Sequence, residues 1–329
     1  LGWYTDEELT KPCVFPLQVM SNMTIYGDFE NSDGFNYVLL ENGTYEIESY
    51  IGDETDVVIP SEHNNIAVTS IGDYAFWGSD IVSVAIPDSI TSIGNSAFSD
   101  CHSLTDISIG DYILNIDFDA FSDSNNINYN IIDNVKYLGN AVNPYLIAIG
   151  MVDNTADSLV LQNNTRIVNN EAFYGCVNIT SVIIPDSVIC LGWDAFGGCV
   201  NLASVSIGSG VSSIGGQIFK YCDSLTNLTV SESNTVYKSI DGDIYTIDSK
   251  YLVQYALGKE STSFTIPSTV IAIAQYAFST CQTLTNVVIS DSVIEIQMSA
   301  FNKCSNLSQI SIGSGLNIIG ASAFFNCDS

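Results

Sequence analysis

Ile184-Pro185-Asp186-Ser187-Val188-Ile189-Cys190-Leu191-Gly192-Trp193-Asp194-Ala195-Phe196-Gly197-Gly198-Cys199 is one copy of a phrase that this chain repeats. Its most constant part is the Phe, usually written Ala-Phe-x-x-Cys. The Phe residues are Phe76, Phe98, Phe121, Phe173, Phe196, Phe219, Phe278, Phe301 and Phe324, spaced by 22, 23, 52, 23, 23, 59, 23 and 23 residues. A fixed period near 23 defines a solenoid, in which each repeat is one coil and neighbouring coils bury each other's apolar side. The nine Phe predict about nine coils.

The span Leu104 to Asn126 shows how one coil reads. Ile107 and Ile109 alternate as in a strand. A polar bend at Gly110-Asp111-Tyr112 follows, then Ile113 and Ile116 turn inward, and Ala120-Phe121 sits in a tight turn or short helix. Pro60, Pro87, Pro185 and Pro267 each follow a strand, where a residue without an N–H ends the ladder. Gly72, Gly94, Gly192, Gly215 and Gly320 recur before the Phe, which fits a positive φ or a close backbone approach. Ala274 and Gln297 stand at the same place.

Two segments break the period. Residues 127–160 and 232–263 each read apolar, turn, apolar, and predict β-hairpin inserts. They carry Tyr129, Tyr137, Tyr145, Tyr237, Tyr245, Tyr251 and Tyr255. These rings either pack over the solenoid or form an aromatic binding ridge, for which Tyr is well suited. Residues 30–54, with Tyr37, Leu39 and Tyr45, predict a strand-rich cap before a solenoid over 55–329.

Charge narrows the partners. Lys plus Arg number 8 against 37 Asp plus Glu, a net charge of −29, so the chain lacks the cations that phosphate binding needs. Nucleic acid and anionic membrane surfaces are excluded as partners, and no apolar run nears the ~20 residues that span a bilayer. Only 14% of residues are charged; Asn, Ser, Thr and Gly carry much of the surface.

Catalytic and metal motifs are missing. The sequence contains no phosphate loop, no H-E-x-x-H and no G-x-S-x-G, and no enzymatic activity or cofactor is expected. Cys101-His102 lacks a third partner, and sequence neighbours on a coil point different ways. Asp88, Asp186 and Asp291 share a turn position that other repeats fill with Ser209 and Ser314, so they read as turn formers rather than a Ca²⁺ ladder. Cys101, Cys176, Cys199, Cys222, Cys281, Cys304 and Cys327 occupy one repeat position, spaced as coils rather than as a zinc site. They predict a buried column of free thiols; Cys13 and Cys190 lie outside it.

The phrase I-P-D-S-V-x-x-[IL]-G-x-x-A-F-x-x-C resembles the BspA-like leucine-rich repeat family of bacterial surface proteins, over roughly residues 55–329. Val135-Lys136-Tyr137-Leu138-Gly139-Asn140 is similar to that family's inserts. Gly2-Trp3-Tyr4-Thr5-Asp6, Leu9-Thr10, Pro12, Phe15 and Thr24-Ile25-Tyr26 are similar to the end of a Listeria–Bacteroides (internalin B-type) repeat, placed at residues 1–29. The resemblance implies a right-handed leucine-rich repeat solenoid, rich in parallel β-strand, with short helical turns and two hairpin inserts. It also implies a piece of a secreted or wall-attached protein that adheres to protein ligands on host, matrix or other bacteria. The alternative to adhesion is a passive stalk that presents other domains, and the chain is expected to be monomeric. The phrase Cys-x-x-Leu at Cys101 and Cys304 predicts one further strand after Cys327, beyond residue 329.

In such repeats the outward strand side chains line the concave face. Here these are Ser83 and Ala85, Asp106 and Ser108, Ser181 and Ile183, Ser204 and Ser206, Asn286 and Val288, and Gln309 and Ser311. The candidate binding residues are therefore Asp106, Ser181, Ser204, Asn286 and Gln309 on that face, and Tyr137, Tyr145, Tyr245, Tyr251 and Tyr255 on the hairpins.

Overall fold

The computed structural model describes residues 3–4, 26–27, 33–117 and 119–327. Each regular coil carries two strands. One has four residues, as in Ser83–Ile86, Asp106–Ile109, Ser181–Ile184, Ser204–Ile207, Asn227–Val230, Asn286–Ile289 and Gln309–Ile312. The other has two, as in Ser92–Ile93, Asn115–Ile116, Cys190–Leu191, Ser213–Ile214 and Glu295–Ile296. Equivalent strands pair in parallel, one repeat apart, so that Val182 lies beside Val205 and Val205 beside Leu228. The two ladders enclose the core. In Ser181–Ile184 and Ser204–Ile207 the second and fourth side chains are buried, as period-two alternation requires.

The repeated phrase supplies the columns of that core. Phe76 stacks on Phe98 with ring centroids 4.7 Å apart, Phe173 on Phe196 at 5.4 Å, and Phe278 on Phe301 at 4.6 Å, all with near-parallel planes. The repeat thiols are free. Five of them, at Cys101, Cys199, Cys222, Cys304 and Cys327, donate 3.1 Å to the carbonyl of the Phe one coil earlier. Six of the seven are buried and Cys327 is half-buried. Burial pushes the Cys176 thiol up to about 11. The Asp two residues after the strand's last Ile accepts a backbone N–H of the following coil, Asp186 from Ser209 and Asp291 from Ser314, both at 2.6 Å. These carboxylates tie coil to coil.

The expected short helices around Ala-Phe are absent among the described residues. Two left-handed residues per coil replace them. The residue two before each Phe has φ between 50° and 59° (Tyr74, Ser96, Asp119, Glu171, Asp194, Gln217, Tyr276, Ser299, Ser322). The residue two after each Phe is also left-handed, from Gly78 and Asp100 through Thr280 to Asn326. A helix needs consecutive right-handed residues, so the chain makes successive tight turns instead. Glycine before the Phe serves only close approach. A Cβ at Gly192 would lie 2.5 Å from the Asn170 nitrogen, and one at Gly215 would lie 2.6 Å from the Gly192 carbonyl carbon.

The coil count also differs. The ladder of short strands has twelve rungs among the described residues, because the cap and both inserts contribute one each. The cap pairs Phe35–Leu39 antiparallel with Tyr45–Tyr50, and Tyr45–Tyr50 then pairs in parallel with Ile66–Ile71. In the first insert, Asn130–Ile132, Val135–Leu138 and Ile147–Met151 form an antiparallel meander, and Ile147–Met151 pairs in parallel with Ile167–Val168. The second insert repeats the plan with Tyr237–Ile240, Asp243–Thr246 and Tyr251–Gln254, the last pairing with Ala272–Ile273. Each insert therefore contains the expected hairpin and, beyond it, ends as a coil of the solenoid. Tyr50 and Tyr255 take the Phe position in two of these coils. Each donates its N–H to the next coil as a repeat Phe does, and each ring stacks on the next Phe, Phe76 at 5.2 Å and Phe278 at 4.9 Å.

Side chains bridge the coils that the second insert separates. Tyr221 would donate its N–H to the next carbonyl in a regular array. Here it donates to Thr280 Oγ1 at 3.0 Å. Thr280 is fully buried and β-branched, yet held at φ 66°. Trp193 meets Tyr276 edge-on at 5.8 Å across the same gap.

Within residues 1–29 only Trp3–Tyr4 and Tyr26–Gly27 are described, and they pair antiparallel. The remainder of the Listeria–Bacteroides resemblance, and Cys13, lie outside the described residues.

Candidate interaction surfaces

The five strand-face candidates share one structural position. Parallel register places Asp106 beside Ser83 and Asp56; Ser181 and Ser204 between Ser158 and Asn227; and Asn286 and Gln309 beside Ser263. Asp106 and Gln309 are exposed, whereas Ser181, Ser204 and Asn286 are half-buried. The structure thus divides them among three stretches of sheet rather than gathering them at one spot.

The first stretch differs from the others because an insert walls it. Val58, Ala85 and Ser108 form the floor of a cleft of about 670 Å³, Asp56 and Asp106 lie along it, and Tyr129 and Pro144 of the first insert form part of its wall. Gly139 pairs with Ser108, so the insert is bonded to the strand it overhangs. Ser83 Oγ donates to Asp56 Oδ1 at 2.6 Å, and Thr105 Oγ1 to Asp106 Oδ2 at 2.7 Å. Val58 is 74% exposed on this floor.

The hairpin tyrosines are placed differently from the sequence expectation. Tyr137, Tyr245 and Tyr255 are buried and present no surface to a partner. Tyr137 accepts the Gln162 N–H and meets Tyr145 edge-on at 5.5 Å. Burial pushes the Tyr245 and Tyr255 hydroxyls well above the usual phenol range. The pairing register shifts beside these residues, at Lys136/Tyr137 and at Ile244/Tyr245, with Ile149 and Val253 the extra residues on the partner strands. Burial does not alternate along the central strands: Tyr137 and Leu138 are both buried, as are Asp243, Ile244 and Tyr245. Tyr145 and Tyr251 are half-buried; Tyr145 packs on the core, and Tyr251 lines a small cleft with Gln217 and Tyr237.

Four exposed aromatics lie instead on the turns beside the Phe column: Tyr74, Trp77, Tyr174 and Trp193 are between 45% and 60% exposed. Trp77 donates its indole N–H to Asp100 at 2.9 Å. Sequence reasoning passed over these residues. Their only signal is that they stand at variable positions of the phrase, where other copies carry Ser, Asp or Gly.

Cys101 and His102 diverge. The thiol is buried and points to the Phe76 carbonyl, whereas the exposed imidazole lies against the Asp123 carbonyl. Among the described residues no group of three or more His, Cys, Asp or Glu has metal-site geometry, and no helix is long and apolar enough to cross a membrane. One buried ion pair stands out. Lys259 Nζ lies 2.7 Å from Asp243 Oδ1, which also accepts the Ala256 N–H. Burial pushes the Asp243 carboxyl up while Lys259 and Ala256 hold it down.

This architecture is that of the BspA type leucine-rich repeat region, whose family model matches six copies over residues 69–145, 153–242 and 253–329. The chain belongs to that family. Among solved structures it is similar to a leucine rich cell surface protein from Faecalibacterium prausnitzii, at 27% identity and TM-score 0.50, covering 94% of this chain and 82% of that one. It also resembles the pneumococcal vaccine antigen PcpA, at 17% identity and TM-score 0.48, over 87% and 75% of the two chains. A leucine-rich repeat protein from Bacteroides ovatus matches at 22% identity and TM-score 0.38, over 92% and 80%. No curated protein matches the sequence.

Proposed function

We propose that this chain is a non-catalytic protein-binding module displayed on a bacterial cell surface, where it adheres to a protein ligand of a host, a matrix or another cell. The family supports an interaction role, and the 27%-identical neighbour is described as a cell surface protein. One observation carries the choice of site: the first stretch of strand face and the first insert together build a cleft of about 670 Å³. A flat face of small side chains offers area without anchors; a wall turns part of it into a groove that can desolvate a partner's side chains.

The test fills the groove. Ala85→Trp places a large ring on its floor, and Ser206→Trp places the same ring on the strand face away from it. Binding of the wild-type chain to immobilised fibronectin, fibrinogen, laminin and collagen, and to cultured epithelial cells, is measured first. The proposal expects binding to at least one target that Ala85→Trp lowers about tenfold or more and Ser206→Trp leaves unchanged. Equal loss in both variants, or no loss in either, rejects the groove as the site. Binding to none of these targets favours a spacer role.

A further inference from the structure

We infer that the occupant of this groove is an extended, proline-rich segment of a partner protein carrying two cationic side chains three residues apart. The inference rests on the groove being the binding site. Asp56 and Asp106 stand at the same position of rungs separated by one rung, that of Ser83. Neighbouring strands lie about 4.8 Å apart, so the two positions are about 9.6 Å apart along the ladder. Both are exposed, and neither belongs to an ion pair found among the described residues. Lys136 lies 5.7 Å over the Tyr129 ring but lines a neighbouring cleft rather than this one. Asp56 Oδ1 accepts from Ser83 Oγ of the neighbouring strand, and Asp106 Oδ2 accepts from Thr105 Oγ1 beside it in sequence, which restrains both carboxylates.

The spacing selects the conformation. In a β-strand, residues facing one way recur at about 6.7 Å and then about 13 Å. In a polyproline II segment every third residue faces the same way, at about 9.3 Å, close to the spacing of the two Asp positions. Such a segment needs no ladder partner, so it can lie across the strand face without backbone pairing. Its proline rings suit an apolar floor of Val58 and Ala85 and a wall of Tyr129 and Pro144. The net charge of −29 favours the approach of a cationic chain.

The test uses the full chain and three fluorescent octapeptides: Pro-Pro-Arg-Pro-Pro-Arg-Pro-Pro, the same composition with the two Arg separated by one Pro, and the first sequence with Glu for Arg. Fluorescence anisotropy at low and at physiological salt reads binding. The three-residue spacing is expected to bind several-fold tighter than the shorter spacing and at least about tenfold tighter than the Glu peptide, and to weaken with salt. The Asp56→Asn/Asp106→Asn double variant keeps the oxygens that accept from Ser83 and Thr105, so the fold is retained. It is expected to lose about tenfold in affinity for the first peptide, as is Ala85→Trp, which fills the groove. Equal affinity for the two Arg spacings, indifference to the double variant, or no binding of the first peptide overturns the inference. Those outcomes leave the groove itself standing wherever Ala85→Trp still blocks a protein target, so failure of the occupant and failure of the site are separable.

Discussion

The regular coils and the two meanders obey the same packing rules but reveal them differently. In a regular coil each position is written several times. Phe196 and Cys199 repeat at Phe219 and Cys222, and all four are buried, each residue near its counterpart one coil away. A meander is written once, and the last strand of the second ends just before the residue that enters the column. Tyr251 and Tyr255 lie four residues apart, an even number that would put both on one face of a strand. The structure leaves Tyr251 half-buried at an opening and places Tyr255 in the Phe column. Redundancy in the sequence, rather than hydrophobicity, is what makes a side chain's place readable.

The comparison is most easily broken by truncating the rings. Phe196→Ala and Tyr255→Ala are both expected to cost about 3–5 kcal/mol in equilibrium urea unfolding, because both remove a fully buried ring from a stack. Tyr251→Ala should cost less than about 2 kcal/mol. A Tyr255→Ala cost as small as that of Tyr251→Ala would return the meander to the surface.

The ion pair inside the second meander is the next largest effect. Asp243 is 1% exposed, and Asp243→Ala strands the Lys259 ammonium and the Ala256 N–H. About 3–5 kcal/mol of destabilisation is expected. The pair Lys250–Asp248, open to solvent at 3.6 Å, serves as control, and Asp248→Ala should cost far less through its charge. Similar melting temperatures for the two variants would show that Asp243 is not buried with its partner.

Thr280→Val tests the bridge across the same meander. Valine keeps the shape but offers no acceptor, so the Tyr221 N–H loses its partner at about 1–3 kcal/mol. Thr285→Val, on an exposed strand edge, should change little. Matching stabilities for the two variants would mean that coils on either side of the insert do not depend on this contact.

The smallest effect is electrostatic. Backbone N–H groups of the next coil hold the Asp186 and Asp291 carboxyls below their usual 3.8. A carboxyl lowered in the folded state contributes stability above about pH 3.8 and loses it as pH falls through its folded value. Neutralising other acids on a chain of net charge −29 relieves repulsion over the same range, so the informative quantity is a difference. Asp186→Asn/Asp291→Asn should be less stable than the wild type near pH 6, with the gap closing below pH 3.8. A gap that widens in acid would contradict the assignment.

Much of the architecture was legible before any coordinates: the solenoid, the parallel register, and the Phe and Cys columns. What was hidden has physical causes. The coils of the cap and inserts carry Tyr50 and Tyr255 where the phrase has Phe, and no Ala-Phe marks them. The expected helices failed because residues as different as Tyr74, Gln217 and Lys303 all adopt positive φ, a demand of coil geometry that these side chains do not announce. Of the candidate surfaces, Asp106 was identified but its companion Asp56 was not. Asp56 lies before the first full phrase, and only strand pairing with Ser83 reveals its place.

The claim that the meanders end as interior coils has one direct test, amide hydrogen exchange at Tyr255. Its N–H bonds to the Ala277 carbonyl at 2.9 Å, as the Phe278 N–H bonds to Ala300 at 2.8 Å. The account predicts that Tyr255 exchanges as slowly as Phe278 and Phe301, by residue-resolved NMR or mass spectrometry. Exchange at Tyr255 as fast as at Ser249, in the turn before its strand, would show that the second insert merely lies on the solenoid and is no part of it.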